Sequence, residues 1–200
     1  ALLEVMEERQ VTVEGVTRQV PRPFMVIATQ NPSGSAGTQM LPESQMDRFL
    51  ICLSMGYPEL KDEIAILKGR SAGNPLEDLA PVADAELLLQ MQAEAEQVFV
   101  HDVLYEYAAN LVRATRVHPM VELGMSPRGG LALVRMMKAA AYLKGKNYVT
   151  PKETEQVFVD VGIHRIRLGT KARMNHMTAR EVLEEILRQV PRPVPKKKNG

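Results

Sequence analysis

The stretch from Phe24 to Leu53, FMVIATQNPSGSAGTQMLPESQMDRFLICL, constrains the fold more than any other part of the chain. Phe24-Met25-Val26-Ile27-Ala28 is apolar without alternation, the pattern of a strand buried on both faces in a parallel sheet. It stops at Thr29-Gln30-Asn31-Pro32, placing polar side chains just past the strand's carboxyl end, the edge where open α/β sheets bind ligands. A Gly/Ser loop from Ser33 to Gly37 follows, then a short helix over Pro42 to Arg48. A second apolar run, Phe49-Leu50-Ile51-Cys52-Leu53, is expected to return to the sheet. Two core strands thus bracket a polar loop that ends in an Asp47-Arg48 pair.

Upstream, Ala1 to Arg9 alternates Leu2, Leu3 and Met6 with Glu4, Glu7 and Glu8, an amphipathic helix already under way at Ala1. Glu14-Gly15 supplies a two-residue hairpin turn within Val11 to Val20. In that register Val13 faces Val16 and Thr12 faces Thr17, with the valines on one face.

After Gly56-Tyr57-Pro58 the chain changes character, with helical periodicity and no clear strand. Six helices are expected: Glu59 to Arg70, Asp84 to Gln97, Asp102 to His118, Ser126 to Lys144, one opening at Thr150-Pro151, and one from Thr178 to about Gln189. Ser126 with Pro127, Thr150 with Glu153, and Thr178 with Glu181 are N-terminal capping signals. The predicted class is α/β plus all-α: a partial parallel-sheet core over residues 1–57, a helical domain over 58–190, and a disordered Pro/Lys-rich tail over 191–200.

Composition narrows the function classes. No run of about 18 apolar residues suits a membrane span. A net charge of +1 gives no electrostatic reason to expect nucleic acid. The single cysteine, Cys52, lies in an apolar run and is expected to be a buried small hydrophobe in a reducing cytoplasm. His101, His118, His164 and His176 share no short metal-ligand spacing and are assigned packing, capping or surface roles. Ser35 and Ser44 lack a nucleophile elbow.

Three residues stand out as chemistry. Asn31 either contacts a ligand at the strand edge or initiates a turn with Pro32. Arg48 either suits the carboxyl end of its short helix or presents a permanent forked cation to a phosphate. Arg128 falls in the first turn of a strongly capped helix, where the dipole disfavours a cation by roughly 0.3–1 kcal/mol. That cost favours an anionic ligand shared with the helix N-terminus; the alternative is a carboxylate such as Glu122.

Taken in order, ALLEVMEERQVTVEG, PFMVIATQNP, GTQMLPESQMDRFL, GYP and GMSPR resemble the MoxR family of AAA+ ATPases, with KNYVTPKETEQV and HRIRL similar to its lid segments. The resemblance covers Ala1 to about Pro193 and implies a helical lid domain behind a carboxyl-terminal piece of the AAA+ core. It implies that Asn31 is the sensor 1 residue positioning the attacking water and that Arg48 is an arginine finger acting on a neighbouring subunit's nucleotide. It implies that Arg128 is sensor 2, touching nucleotide phosphate in its own subunit, and that the Val11–Val20 hairpin is the insertion preceding sensor 1. An arginine finger contributes about 10³–10⁵ in rate, since phosphoryl transfer needs positioning and charge neutralisation more than covalent chemistry.

The cofactors implied are ATP and Mg²⁺, the assembly a homo-oligomeric hexameric ring, and the clients von Willebrand factor A domain proteins or other proteins. The chain departs from the pattern in lacking G-x-x-x-x-G-K-[ST] and the acidic Mg²⁺-binding motif. It is therefore expected to be the carboxyl-terminal portion of a longer ATPase, and alone neither to bind ATP tightly nor to hydrolyse it. Two other readings are a non-catalytic helical interaction module and a magnesium-chelatase-like or gas-vesicle-type ring ATPase subunit.

Overall fold

A computed structural model describes residues 2–30, 41–70, 77 and 79–193. Helix α1 (Leu2–Glu8) leads into an antiparallel hairpin of β1 (Gln10–Val13) and β2 (Val16–Gln19). The register is the expected one, with Val13 opposite Val16 and Thr12 opposite Thr17. Glu14 and Gly15 both take positive φ, 51° and 77°, as a two-residue turn with the twist of the strands demands. Thr12 Oγ1 donates to Glu4 Oε1 at 3.0 Å, and Arg9 accepts the Val20 amide at 2.9 Å, so hairpin and helix form one unit.

The next segments depart from expectation. Neither Phe24–Ala28 nor Phe49–Leu53 joins a strand ladder among the described residues. A parallel strand needs neighbours for its amides and for both apolar faces. Without such neighbours Met25 is 67% and Ile27 83% exposed, and the first run is not buried. Cys52 is likewise exposed, not buried, because its run passes over the helical domain rather than into a sheet. The loop from Ser33 to Gly37, with Asn31 and Ser35, lies outside the described residues, as does 194–200 of the expected tail.

Helix α2 (Glu43–Met46) is short. Then come α3 (Leu60–Arg70), α4 (Ala85–Glu96) and α5 (Asp102–Val117). Strand β3 (Val121–Leu123) precedes α6 (Pro127–Tyr142) and α7 (Pro151–Gly162), and β4 (Arg167–Leu168), α8 (Thr170–Met174) and α9 (Ala179–Gln189) complete the order. The pairing of β3 with β4 corrects the expectation of a strandless second half: both are too short to show alternation, and only their partnership across α6 and α7 defines them. A parallel bridge between Phe99 and Tyr148 similarly ties the α4–α5 link to the α6–α7 link.

The core lies among α5, α6, α7 and α9. Leu104, Tyr107, Ala108, Leu111 and Thr115, the helical stripe legible in the sequence, are all at or below 3% exposure. They meet Leu133, Met137 and Ala141 of α6, Phe158 and Val161 of α7, and Val182, Leu183 and Ile186 of α9. Each large apolar side chain so buried contributes about 1.5–3 kcal/mol.

The capping signals are realised. Asp84 accepts the Leu87 amide, and capping boxes close at Thr150/Glu153 and Thr178/Glu181. Glu153 is fully buried, yet Lys144 and Lys146 reach it at 3.1 and 2.9 Å. Burial alone would raise its carboxyl pKa; the bonds from Thr150, Lys146 and Lys144 outweigh that and hold it at about 2. Beyond α9, Arg192 forks onto Glu155, which also accepts from Tyr107.

Candidate functional site

The site is built at the amino end of α6. Its approach is fastened from α5: the buried Thr115 hydroxyl accepts the Met125 amide at 2.9 Å, and Arg116 Nε donates to Met125 O at 2.8 Å. Ser126 then caps the helix by accepting the Gly129 amide at 3.2 Å, with Pro127 at the first helical position. Arg128 is thereby held in the first turn, half exposed.

Its partner is not Glu122, which pairs with Arg167 at 3.2 Å. Arg128 Nη2 instead donates to Glu7 Oε1 at the end of α1, and Arg48 Nη1 pairs with Glu7 Oε2. The two arginines singled out in sequence therefore converge on one carboxylate. Glu7 thus receives two guanidinium groups beside the N-terminus of α6. The hydrogen bond from Arg48, opposed by a smaller burial effect and then reinforced by Arg128, holds the Glu7 carboxyl below the usual range.

Next to Arg48, Asp47 bridges two parts of the helical domain. One carboxylate oxygen accepts from Ser126 Oγ at 2.8 Å and the other from Arg165 Nε at 2.9 Å. His164 binds Phe49 O through Nε2 at 3.0 Å. Burial, with the neighbouring Arg165 charge, lowers the His164 pKa to about 4, so the ring is neutral at pH 7 and donates from Nε2.

This arrangement can hold an anion of carboxylate or phosphate geometry between two guanidinium groups, a task suited to their forked donors. No group of three or more His, Cys, Asp or Glu side chains that could hold a metal occurs among the described residues. Asn31 lies outside the described residues, so its relation to Arg48 and Arg128 is not defined by this geometry.

Sequence reasoning did not single out Glu7 or Arg165. Glu7 was one of several acids on an exposed helix face. Arg165 carried a faint signal, a cation two residues after the apolar Val161-Gly162-Ile163 end of a core helix.

Residues 1–51 match the model of the ATPase family associated with various cellular activities, and residues 113–186 match that of the AAA lid domain. YeaC of Bacillus subtilis, an uncharacterized protein, is 41% identical over 97% of this chain and 61% of its own length. The chaperone MoxR1 of Mycobacterium tuberculosis is 36% identical over 96% of this chain and 53% of its own length. A crystal structure of a candidate ATPase from Cytophaga hutchinsonii superposes with a TM-score of 0.89 at 32% identity, over 96% of this chain and 61% of that one.

Residues 1–51 and 113–186 together define the AAA+ class. Within that class, this chain belongs to the MoxR family of AAA+ ATPases, whose members include chaperones. It spans between about half and three-fifths of the length of the relatives it matches. No described helix is long and apolar enough to cross a membrane.

Proposed function

We propose that this chain supplies the arginine side of an ATP-hydrolysing site in a MoxR-type ring motor that remodels or activates a partner protein. The observation that carries the reading is the convergence of Arg48 and Arg128 on Glu7 at the capped start of α6. A carboxylate seated between two guanidinium groups occupies the kind of place a phosphate oxygen would take. ATP therefore fits the residues present, with Arg48 and Arg128 holding its phosphate oxygens and neutralising the charge that develops on transfer.

Asn31 keeps the water-positioning role implied by the family motif. The described residues offer no group of three or more His, Cys, Asp or Glu side chains for Mg²⁺. A hexameric ring and von Willebrand factor A domain clients remain the family expectation.

The family motifs assign Arg48 and Arg128 to the nucleotides of two neighbouring subunits; their convergence on Glu7 adds the alternative of one shared phosphate. The test is steady-state turnover by the full-length protein. Arg48→Ala should lower turnover by about 10³-fold or more while nucleotide still binds; unchanged turnover would overturn the reading. A non-catalytic helical module predicts partner binding independent of both arginines.

A further inference from the structure

Arg165 follows α7 in a tight turn and is 7% exposed. A guanidinium has five N–H donors, and each finds an acceptor here. Nε binds Asp47 Oδ1 at 2.9 Å; Nη1 binds Leu50 O at 3.0 Å and Val161 O at 2.5 Å; Nη2 binds Asp47 O at 3.1 Å and also Phe49 O. Four of these five acceptors belong to residues 47–50, the strap that carries Arg48.

The same side chain is fitted against α6. A Cβ placed on Gly129 would lie 2.9 Å from Arg165 Cδ, so the glycine leaves the space through which Arg165 reaches the strap. Asp47 completes the connection by accepting from Ser126, the cap of the helix that carries Arg128. The backbone on both sides of Arg48 is thus held by Arg165, which packs against the start of α6.

We infer that Asp47 is a positioning residue: through Ser126 and Arg165 it sets the reach of Arg48 according to the seating of the α6 N-terminus. The inference rests on the proposal that Arg48 contacts a nucleotide phosphate. It adds a mechanical link, in which phosphate engaged by Arg128 changes where Arg48 stands. Misplacing a charged catalytic group by about 1 Å can cost on the order of 10²-fold in rate, so modest loosening of Asp47 is enough to matter.

The test uses the full-length protein and measures kcat, KM for ATP, melting temperature and a double-mutant cycle. Asp47→Asn should lower kcat at least roughly tenfold with KM held within about twofold; because it removes the carboxylate paired with the buried Arg165, some loss of melting temperature is expected, and turnover is read well below the midpoint. On that background Arg48→Ala should cost far less than it does in the native protein, because the arginine is already out of place. Ser126→Asp provides the second variant: it preserves a good helix cap while setting a like charge against Asp47, and it should reproduce the kcat loss.

Native kcat in both variants, with Arg48→Ala inactive, overturns the link while leaving the nucleotide reading intact. A kcat loss accompanied by an undiminished cost of Arg48→Ala also overturns it, as an indirect effect of structure. Unchanged turnover in Arg48→Ala itself would instead defeat the nucleotide reading.

Discussion

Arg48 and Arg128, remote in sequence, bind the two oxygens of the same carboxylate, that of Glu7. One residue lies in the strap of residues 47–50 and the other in the first turn of a core helix, so their proximity is a product of the tertiary fold. If they grip one phosphate, their contributions are not independent. The double variant Arg48→Ala/Arg128→Ala of the full-length protein should then turn over ATP no more slowly than the slower single variant, within about threefold. Two multiplying losses would assign the arginines to separate nucleotides.

Glu7 competes with any anion that enters between the arginines. Glu7→Gln retains the shape and removes the charge, so it should lower KM for ATP severalfold at low salt, and the gain should shrink in 0.5 M salt as screening shortens the reach of the freed charges. Nucleotide titration at the two ionic strengths measures both effects. A KM that rises or stays constant would exclude competition.

Acid should weaken the fold in two successive windows. His164 is held neutral, with a pKa of about 4 against an ordinary 6.5, so the unfolded chain takes up the proton first. Its contribution is complete above pH 6.5 and is lost as pH falls toward 4. Glu153, at about 2 against 4.5, contributes fully above pH 4.5 and loses that contribution as pH falls toward 2. Chemical denaturation of this chain at stepped pH should show a slope between pH 6.5 and 4 that His164→Gln, which keeps a donor for Phe49 O, flattens. An unaltered slope would remove His164 as its cause.

Gly129→Ala should reverse the usual helix rule. In an open helix interior the change gains about 1 kcal/mol. Here the new Cβ would meet Arg165 Cδ at 2.9 Å, and the guanidinium is locked by its five bonds, so the side chain cannot swing away. Net destabilisation of about 1–3 kcal/mol by thermal or denaturant melting is expected. Stabilisation would mean that Arg165 is free to move.

Legibility in the sequence followed the range of the interactions. The hairpin register and the caps at Ser126, Thr150 and Thr178 depend on neighbours a few residues away, and all formed as the spacing implied. The α5 stripe was equally plain, because one buried face imposes a period of 3.6. The runs at Phe24 and Phe49 misled because an apolar segment states that it would be stable under cover without supplying that cover. Arg48 and Arg128 were visible as unusual cations, but Glu7 was not, since nothing local distinguishes it from Glu4 or Glu8. Arg165 was hidden for the opposite reason: its five acceptors include four main-chain oxygens, which leave no mark on residue type.

Arg165 also constrains anyone who would graft this lid onto another motor. The change of composition near Tyr57-Pro58 offers a natural splice point, but the helices downstream of it do not form a self-sufficient part. A chimera joined there would import the guanidinium without residues 47–50, leaving only Val161 O of its five acceptors in place. The transplant would carry a buried cation whose hydrogen-bonding partners remained in the donor protein. The smallest portable cassette therefore begins upstream of Asp47.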